Sequence, residues 1–143
     1  MAPSTAGASR RAGKGRILIV DDEEGMRDLL KAILEADYHV TEADSGAALH
    51  QALNHEQPDV VLLDMKLPDA NGLGLLPAIK QRWPATEVIM LSGAVTDGGA
   101  AAWMAEATKG GASDFLSKSA EFSFLKVLAC VGSALERRSA ASQ

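Results

Sequence analysis

Five short strand-like runs, each followed by a segment with helical periodicity, constrain the fold of this chain more than any other feature. The runs cover residues 17–20, 38–42, 60–63, 88–91 and 112–116, and the helical patterns cover residues 26–34, 45–55, 75–83, 100–109 and 124–135. Strands that alternate with helices form a parallel sheet with helices on both faces. Such strands are buried on both sides, which explains why most of the runs are almost continuously apolar. The sequence therefore predicts an α/β fold with three layers around a five-stranded parallel sheet.

Polar side chains stand at the ends of four of these runs. Asp21 and Asp22 follow the first run, Asp64 follows the third, Ser92 follows the fourth, and Lys118 comes just after the fifth. In open parallel α/β folds, the functional site lies beyond the carboxyl ends of the strands. Three carboxylates, a hydroxyl and an ammonium are therefore expected to meet at one edge of the sheet.

This set of groups is suited to phosphoryl transfer. Carboxylates that lie close together raise one another's pKa unless a cation sits among them, and Mg²⁺ favours oxygen ligands of this kind. A carboxylate is also a competent nucleophile toward phosphorus. Catalysis of phosphoryl transfer consists mainly of positioning and of cations that neutralise the phosphoryl oxygens. We therefore expect Mg²⁺, Lys118 and Ser92 each to stabilise one of these oxygens.

Four motifs give the chain its resemblance to a known family. They are Ile-Leu-Ile-Val-Asp-Asp-Glu-Glu at residues 17–24, Val-Leu-Leu-Asp-Met-Lys-Leu-Pro-Asp-Ala-Asn-Gly at 61–72, Leu-Ser-Gly-Ala at 91–94, and Gly-Ala-Ser-Asp-Phe-Leu-Ser-Lys at 111–118. In this order the motifs resemble the receiver domains of two-component response regulators, over about residues 15–138. The resemblance implies the flavodoxin-like (βα)5 fold of the chemotaxis regulators, with strand order 2-1-3-4-5.

The resemblance also implies roles for the polar cluster. Asp64 would be the phosphoacceptor and would receive its phosphoryl group from a histidine kinase or a histidine phosphotransfer protein. Asp21, Asp22 and Asp64 would bind Mg²⁺ together with the backbone carbonyl of Lys66. Lys118 would contact the phosphoryl group. A receiver of this kind is not an enzyme with a separate substrate and assists only its own phosphorylation and dephosphorylation.

A second set of implied roles concerns signalling. Ser92 would contact the phosphoryl group and move toward it on activation, which would let Phe115 rotate inward. The face formed by helix 4, strand 5 and helix 5 would then change shape and bind an output protein or a second copy of the chain. In receivers, the residues two past the phosphoacceptor and two past the hydroxyl influence hydrolysis, and here these are Lys66 and Ala94.

Two other classes of protein remain as alternatives. A Mg²⁺-dependent phosphatase with an aspartyl nucleophile resembles this chain in fold but needs a second acid two residues after the nucleophile, where this chain has Lys66. A nucleotide-binding module needs a glycine-rich loop after the first strand, and the acidic residues 21–24 stand there instead. Both alternatives are therefore disfavoured.

Composition bears on the surroundings of the domain. The single cysteine, Cys130, fits a reducing compartment such as the cytoplasm, and the longest apolar runs are too short to span a membrane. A net charge of −5 argues against direct nucleic-acid binding. Residues 1–14 carry three basic residues and no acid, which predicts a disordered basic tail. A disordered end is expected at residues 139–143.

Two departures from the family pattern affect the last motif. Ser119 replaces the proline that usually follows the lysine, which puts the family's cis peptide bond in doubt because a cis bond before a non-proline residue is costly. The segment from Ser92 to Lys118 is also a few residues longer than usual, about one helical turn.

Overall fold

The computed structural model of the protein describes residues 15–93, 99–118 and 123–141. Strands and helices alternate in these ranges as β1 (Arg16–Val20), α1 (Glu24–Leu34), β2 (His39–Ala43), α2 (Gly46–Ala52), β3 (Val60–Asp64), α3 (Gly72–Arg82), β4 (Glu87–Ser92), α4 (Gly99–Lys109), β5 (Asp114–Ser117) and α5 (Phe124–Ala141). The strand pairings are parallel. The sheet order is β2-β1-β3-β4-β5. The predicted fold class, strand number and strand order are therefore confirmed.

The sheet is covered on both faces by separate apolar clusters. Successive side chains of a strand point to opposite faces, so each central strand contributes to both clusters. Leu18 and Val20 of β1 pack in the cluster that includes buried residues of α2, α3 and α4. Ile17 and Ile19 pack in the cluster that includes residues of α1 and α5. This burial on two sides is the physical reason for the continuous apolar runs in the sequence.

The start of β5 and the end of α2 differ from the sequence-based expectation. β5 begins at Asp114 rather than at residue 112. Gly111 has a φ of 107°, and the N–H of Ala112 donates to the carbonyl of Ala107, so a left-handed turn still closes α4 at that point. α2 ends at Ala52, three residues before its predicted end at His55.

The C-terminal helix is longer than expected. α5 continues to Ala141, so residues 139–141 are helical, whereas the sequence predicted a disordered end from residue 139. Arg137 Nε donates to Glu87 Oε1 over 2.8 Å, which ties the end of the helix to β4. The high helix propensity of Ala140 and Ala141 favours continuation of the helix from there.

Several predictions fall on parts of the chain outside the described residues. These are the basic tail at residues 1–14, the position of Ala94, the bond between Lys118 and Ser119, and residues 142–143. Among the described residues, no helix has both the length and the apolar character needed to cross a bilayer.

The loop after β3 packs closely against the edge of the sheet. A Cβ atom at Gly72 would overlap the backbone oxygen of Asp64, so only glycine fits at this position. The carboxylate of Asp69 accepts hydrogen bonds from the backbone N–H groups of Gly46 and Ala47, over 2.7 and 2.9 Å. These hydrogen bonds hold the pKa of Asp69 below its ordinary value. The loop is therefore fixed both to the end of β3 and to the start of α2.

Replacement of Gly72 by alanine tests this close approach. We expect Gly72→Ala to lower the free energy of unfolding by about 1–3 kcal/mol, because the new methyl group displaces the backbone of Asp64. Gly74→Ala in the same helix is the matched control, since a Cβ there meets nothing within 4 Å. Alanine should stabilise that helical position or leave it unchanged. Equal unfolding free energies of the two variants in urea titrations would contradict the close-packing argument.

Candidate functional site

Backbone pairing fixes the positions of the polar residues at the carboxyl ends of the strands. The N–H of Asp21, just after β1, donates to the carbonyl of Ala43 over 3.0 Å. Asp64 is the last residue of β3, opposite Leu91 of β4. The N–H of Lys118, just after β5, donates to the carbonyl of Ser92 over 2.7 Å. Asp21, Asp64, Ser92 and Lys118 therefore lie in the sheet or directly continue it.

The ammonium group of Lys118 joins three carboxylates. Its Nζ lies 2.8 Å from Asp21 Oδ2, 2.9 Å from Glu23 Oε1 and 3.1 Å from Asp64 Oδ2. The side chains of Lys118, Asp21 and Asp64 are 8%, 0% and 6% exposed, whereas that of Glu23 is 62% exposed. The cluster therefore contains a buried part and one acid that remains in contact with solvent.

The charges of this cluster are unbalanced. Burial and the neighbouring charge of Asp21 raise the pKa of Asp64 to about 6, although Lys118 partly opposes this increase. Burial lowers the pKa of Lys118, but the hydrogen bonds to Asp21 and Glu23 and the negative charges of Asp64 and Asp21 together outweigh burial and hold that pKa above its ordinary value. A single ammonium shared among three carboxylates leaves an excess of negative charge, which a divalent cation would neutralise.

Three of the acids fit the requirements of a metal site. One carboxylate oxygen from each of Asp21, Asp22 and Asp64 lies within 4.8 Å of the other two, and Asp22 is exposed to solvent. The Asp21 carboxylate is held in place because its Oδ1 accepts the N–H of Glu23 over 2.9 Å. The Asp21 carbonyl accepts a hydrogen bond from Arg27 Nη1 over 2.7 Å. All-oxygen ligands with an open, hydrated side suit Mg²⁺.

A cleft of about 370 Å³ opens over these acids. It is lined by Asp22, Glu23, Asp64, Met65, Lys66, Gly93 and Lys118. Lys66 is exposed and forms an isolated antiparallel bridge with Asn71. The hydrogen bonds of this bridge use the Met65 carbonyl and the Leu67 N–H, so the Lys66 carbonyl does not take part in them. That carbonyl is therefore compatible with the metal-ligand role expected from the sequence.

Two residues with predicted signalling roles lie apart from the cleft lining. Ser92 is 7% exposed at the end of β4, and its neighbour Gly93 lines the cleft instead. Phe115 in β5 packs edge-on against Trp103 of α4, with ring centroids 5.4 Å apart and an angle of 76° between the rings. The structure therefore places Phe115 at the contact between α4 and β5. Ala94 lies outside the described residues.

Sequence reasoning missed two residues of the site. It treated Glu23 only as part of an acidic run, whereas Glu23 is the third carboxylate on Lys118. It gave no role to Arg27, which donates to the Asp21 carbonyl and whose Nε lies 3.2 Å from Glu42 Oε1. Two signals were available in the sequence: the run of four acids at residues 21–24, and the four-residue spacing between Glu23 and Arg27. Neither signal identifies the contacts that these two residues make.

Comparisons with known proteins agree on one family. A family model described as the response regulator receiver domain matches residues 17–129. The response regulator protein PilR of Pseudomonas aeruginosa is 37% identical over 124 residues, which cover 86% of this chain and 26% of PilR. The chemotaxis protein CheY of Listeria monocytogenes is 35% identical over 105 residues, which cover 72% of this chain and 85% of that protein.

Solved structures show the same similarity. A response regulator receiver domain protein (CheY-like) from Methanospirillum hungatei aligns with a TM-score of 0.79 and 26% identity, over 90% of this chain and 98% of that one. This chain spans only 17%, 30% and 28% of the length of the first curated relatives that it matches. It therefore corresponds to one part of those longer proteins.

The unbalanced charge at Asp64 leads to a stability prediction for the metal-free protein. We expect Asp64→Asn to raise the melting temperature at pH 7 by a few degrees, because it removes a buried carboxylate beside Asp21. In the folded protein the pKa of Asp64 lies near 6, above its ordinary 3.8, so the ionised form costs stability above that pH. The gain should therefore be full above pH 6 and vanish below about pH 4.

The control for this measurement is Asp44→Asn. Asp44 follows β2 at the same edge of the sheet and is exposed, so its replacement should change the melting temperature little. The measurement is a set of melting curves in a chelating buffer. An unchanged melting temperature for Asp64→Asn, or an equal increase for Asp44→Asn, would contradict the expected repulsion.

Proposed function

Because this chain belongs to the response regulator receiver domain family, we propose that it is a phosphoacceptor switch that takes a phosphoryl group onto Asp64. The observation that carries the proposal is the buried Asp64 carboxylate, hydrogen-bonded to Lys118 at the end of β3. The donor would be a histidine kinase or a histidine phosphotransfer protein, and the domain would then act in the cytoplasm. The chain would assist only its own phosphorylation and dephosphorylation and would have no separate substrate.

The proposed reaction is a single displacement at phosphorus. An oxygen of the Asp64 carboxylate forms a bond to phosphorus, while the bond from phosphorus to the donor's nitrogen or oxygen breaks and the donor keeps that electron pair. Lys118 Nζ, which lies 3.1 Å from Asp64 Oδ2, would neutralise one phosphoryl oxygen. The Ser92 hydroxyl at the end of the adjacent strand β4 would donate to another.

Mg²⁺ is the proposed cofactor of this site. Asp21, Asp22, Asp64 and the backbone carbonyl of Lys66 would bind it, and the clustering of the three carboxylates supports this assignment. The bound ion would supply positive charge to the phosphoryl oxygens. The protein's contribution is to hold the buried acids Asp21 and Asp64 in fixed positions through the sheet.

The proposed signal travels through the contact between α4 and β5. Movement of Ser92 toward the phosphoryl group would leave space for Phe115 to turn inward, away from its edge-on contact with Trp103. Loss of that contact would change the face formed by α4, β5 and α5. Met104 on α4 is 37% exposed and would belong to the surface that an output protein or a second copy of the chain binds.

The aspartyl phosphatase alternative receives no support from the site. Such an enzyme needs an acid two residues after its nucleophile, and here Lys66 occupies that position and lines the cleft. The lysine side chain does not supply the second carboxylic acid that such an enzyme requires. Turnover of a general phosphatase substrate is therefore not expected.

Phosphorylation by a small-molecule donor tests the proposed function directly. We expect the protein to gain the mass of one phosphoryl group when it is incubated with acetyl phosphate and Mg²⁺. Asp64→Asn should abolish the gain, because it removes the nucleophilic oxygen while keeping the size of the side chain. Asp44→Asn, which changes an exposed carboxylate at the same edge, should leave the gain intact. Undiminished labelling of Asp64→Asn in intact-mass spectra would refute the assignment.

Lys66 is the proposed modulator of hydrolysis, together with Ala94. Its exposed side chain lines the cleft and would occupy the path of the water that attacks the phosphoryl group. We expect Lys66→Ala to speed dephosphorylation with little change in the affinity for Mg²⁺, because only the backbone carbonyl of Lys66 is a proposed ligand. The measurement is the decay of phosphorylated protein in a fixed buffer and salt.

The control for the hydrolysis experiment is Lys109→Ala. Lys109 is an exposed lysine at the end of α4 that does not belong to the cleft lining, so its loss changes the net charge equally. Decay of phosphorylated Lys66→Ala that matches or falls below the wild-type rate would show that this side chain does not shield the site.

A further inference from the structure

The three hydrogen atoms of the Lys118 ammonium already have acceptors in the protein. An ammonium group has three donors and no acceptor. Asp21 Oδ2, Glu23 Oε1 and Asp64 Oδ2 lie 2.8, 2.9 and 3.1 Å from Nζ, which is one carboxylate oxygen for each N–H. A phosphoryl oxygen on Asp64 can therefore receive a hydrogen bond from Lys118 only if one of these contacts is given up.

The three contacts differ in how easily they are given up. Asp21 is fully buried, and its second oxygen is held by the N–H of Glu23, so it cannot return to water. Asp64 is the residue to which the phosphoryl group would be attached. The side chain of Glu23 is 62% exposed, and its carboxylate can leave Lys118 and become fully hydrated at little cost. Of the two contacts outside the phosphoacceptor, the contact with Glu23 is therefore the one that yields more easily.

The position of Glu23 in the chain shows that its contact with Lys118 is not a by-product of helix capping. Glu23 is the N-cap residue of α1, yet its side chain makes no capping hydrogen bond. The carboxylate instead reaches Lys118, a residue that is 95 positions away in the sequence. Replacement of the side chain should therefore leave the start of α1 intact.

We propose that Glu23 is a positioning residue that occupies, in the unphosphorylated protein, the place on Lys118 that a phosphoryl oxygen takes after phosphorylation. This inference rests on the proposed function of Asp64. The Glu23 carboxylate holds Lys118 over the site and stabilises the unphosphorylated state. The carboxylate leaves Lys118 when the phosphoryl oxygen arrives. Glu23 therefore opposes phosphorylation and lowers its rate.

Glu23→Gln tests this exchange, with Glu24→Gln as the matched control. Both variants remove one negative charge, but Glu24 lies in the first turn of α1 and outside the cleft lining. At saturating Mg²⁺, Glu23→Gln should increase the rate of phosphorylation by acetyl phosphate about two- to fivefold, the range expected from loss of a partly exposed ion pair. Glu24→Gln should phosphorylate at the wild-type rate.

A second measurement uses beryllofluoride, a phosphoryl mimic that binds without group transfer. Glu23→Gln should lower the half-saturating concentration of beryllofluoride by a similar factor, followed by tryptophan fluorescence. A variant that merely loosened the fold would bind this anion less tightly, so tighter binding distinguishes competition from structural damage. The inference would be overturned if Glu23→Gln left both beryllofluoride binding and the phosphorylation rate unchanged. It would also be overturned if Glu24→Gln changed them as much as Glu23→Gln does.

The same experiment separates the inference from the proposed function. If the wild-type protein takes up a phosphoryl group on Asp64 and Glu23→Gln is phosphorylated at the same rate, only the role of Glu23 is overturned. Wild-type protein that takes up no phosphoryl group would overturn the proposed function and the role of Glu23 with it.

Discussion

The contact of Lys118 with Asp21 and Asp64 is the interaction on which the arrangement of the site depends. In the register of β1 and β3, Val20 lies opposite Leu63, so the next residues, Asp21 and Asp64, emerge side by side. β5 lies two strands from β3, about 10 Å at the usual spacing of strands. Only a long side chain at position 118 can cross that distance, and the lysine then offsets the repulsion between the two buried acids.

Most of the fold and the buried part of the site could be predicted from the sequence because both follow from the sheet. The continuous run at residues 60–63 requires a strand buried on two faces, and the structure places Leu62 and Leu63 in opposite clusters. Since the strands are parallel, the residues that end them share one edge. Topology therefore brings the chain positions of Asp21, Asp64 and Lys118 to that edge, and the length of the lysine side chain completes the contact.

The remaining features depend on tertiary geometry that local patterns do not encode. The contact of Glu23 with Lys118 needs a particular side-chain rotamer at the start of α1, and the adjacent acids Asp22 and Glu24 fit the same sequence pattern. The late start of β5 follows from the left-handed conformation at Gly111, which glycine permits but does not require. The C-terminal part of α5 is attached to the sheet by the contact between Arg137 and Glu87, a partner 50 residues earlier in the chain.

The charges are arranged differently at the two ends of the strands. The ends where the strands begin form the amino edge of the sheet, and the ends where they finish form the carboxyl edge. At the amino edge, the buried Thr86 donates from Oγ1 to the Pro58 carbonyl over 2.7 Å, and its own carbonyl accepts from Lys80 Nζ over 2.7 Å. Glu87, the first residue of β4, is paired with Arg137. In these contacts donors meet acceptors and the opposite charges are paired. At the carboxyl edge one ammonium, that of Lys118, serves three carboxylates, so negative charge is in excess there. The sheet is thus held at its amino edge while its carboxyl edge remains responsive to added charge.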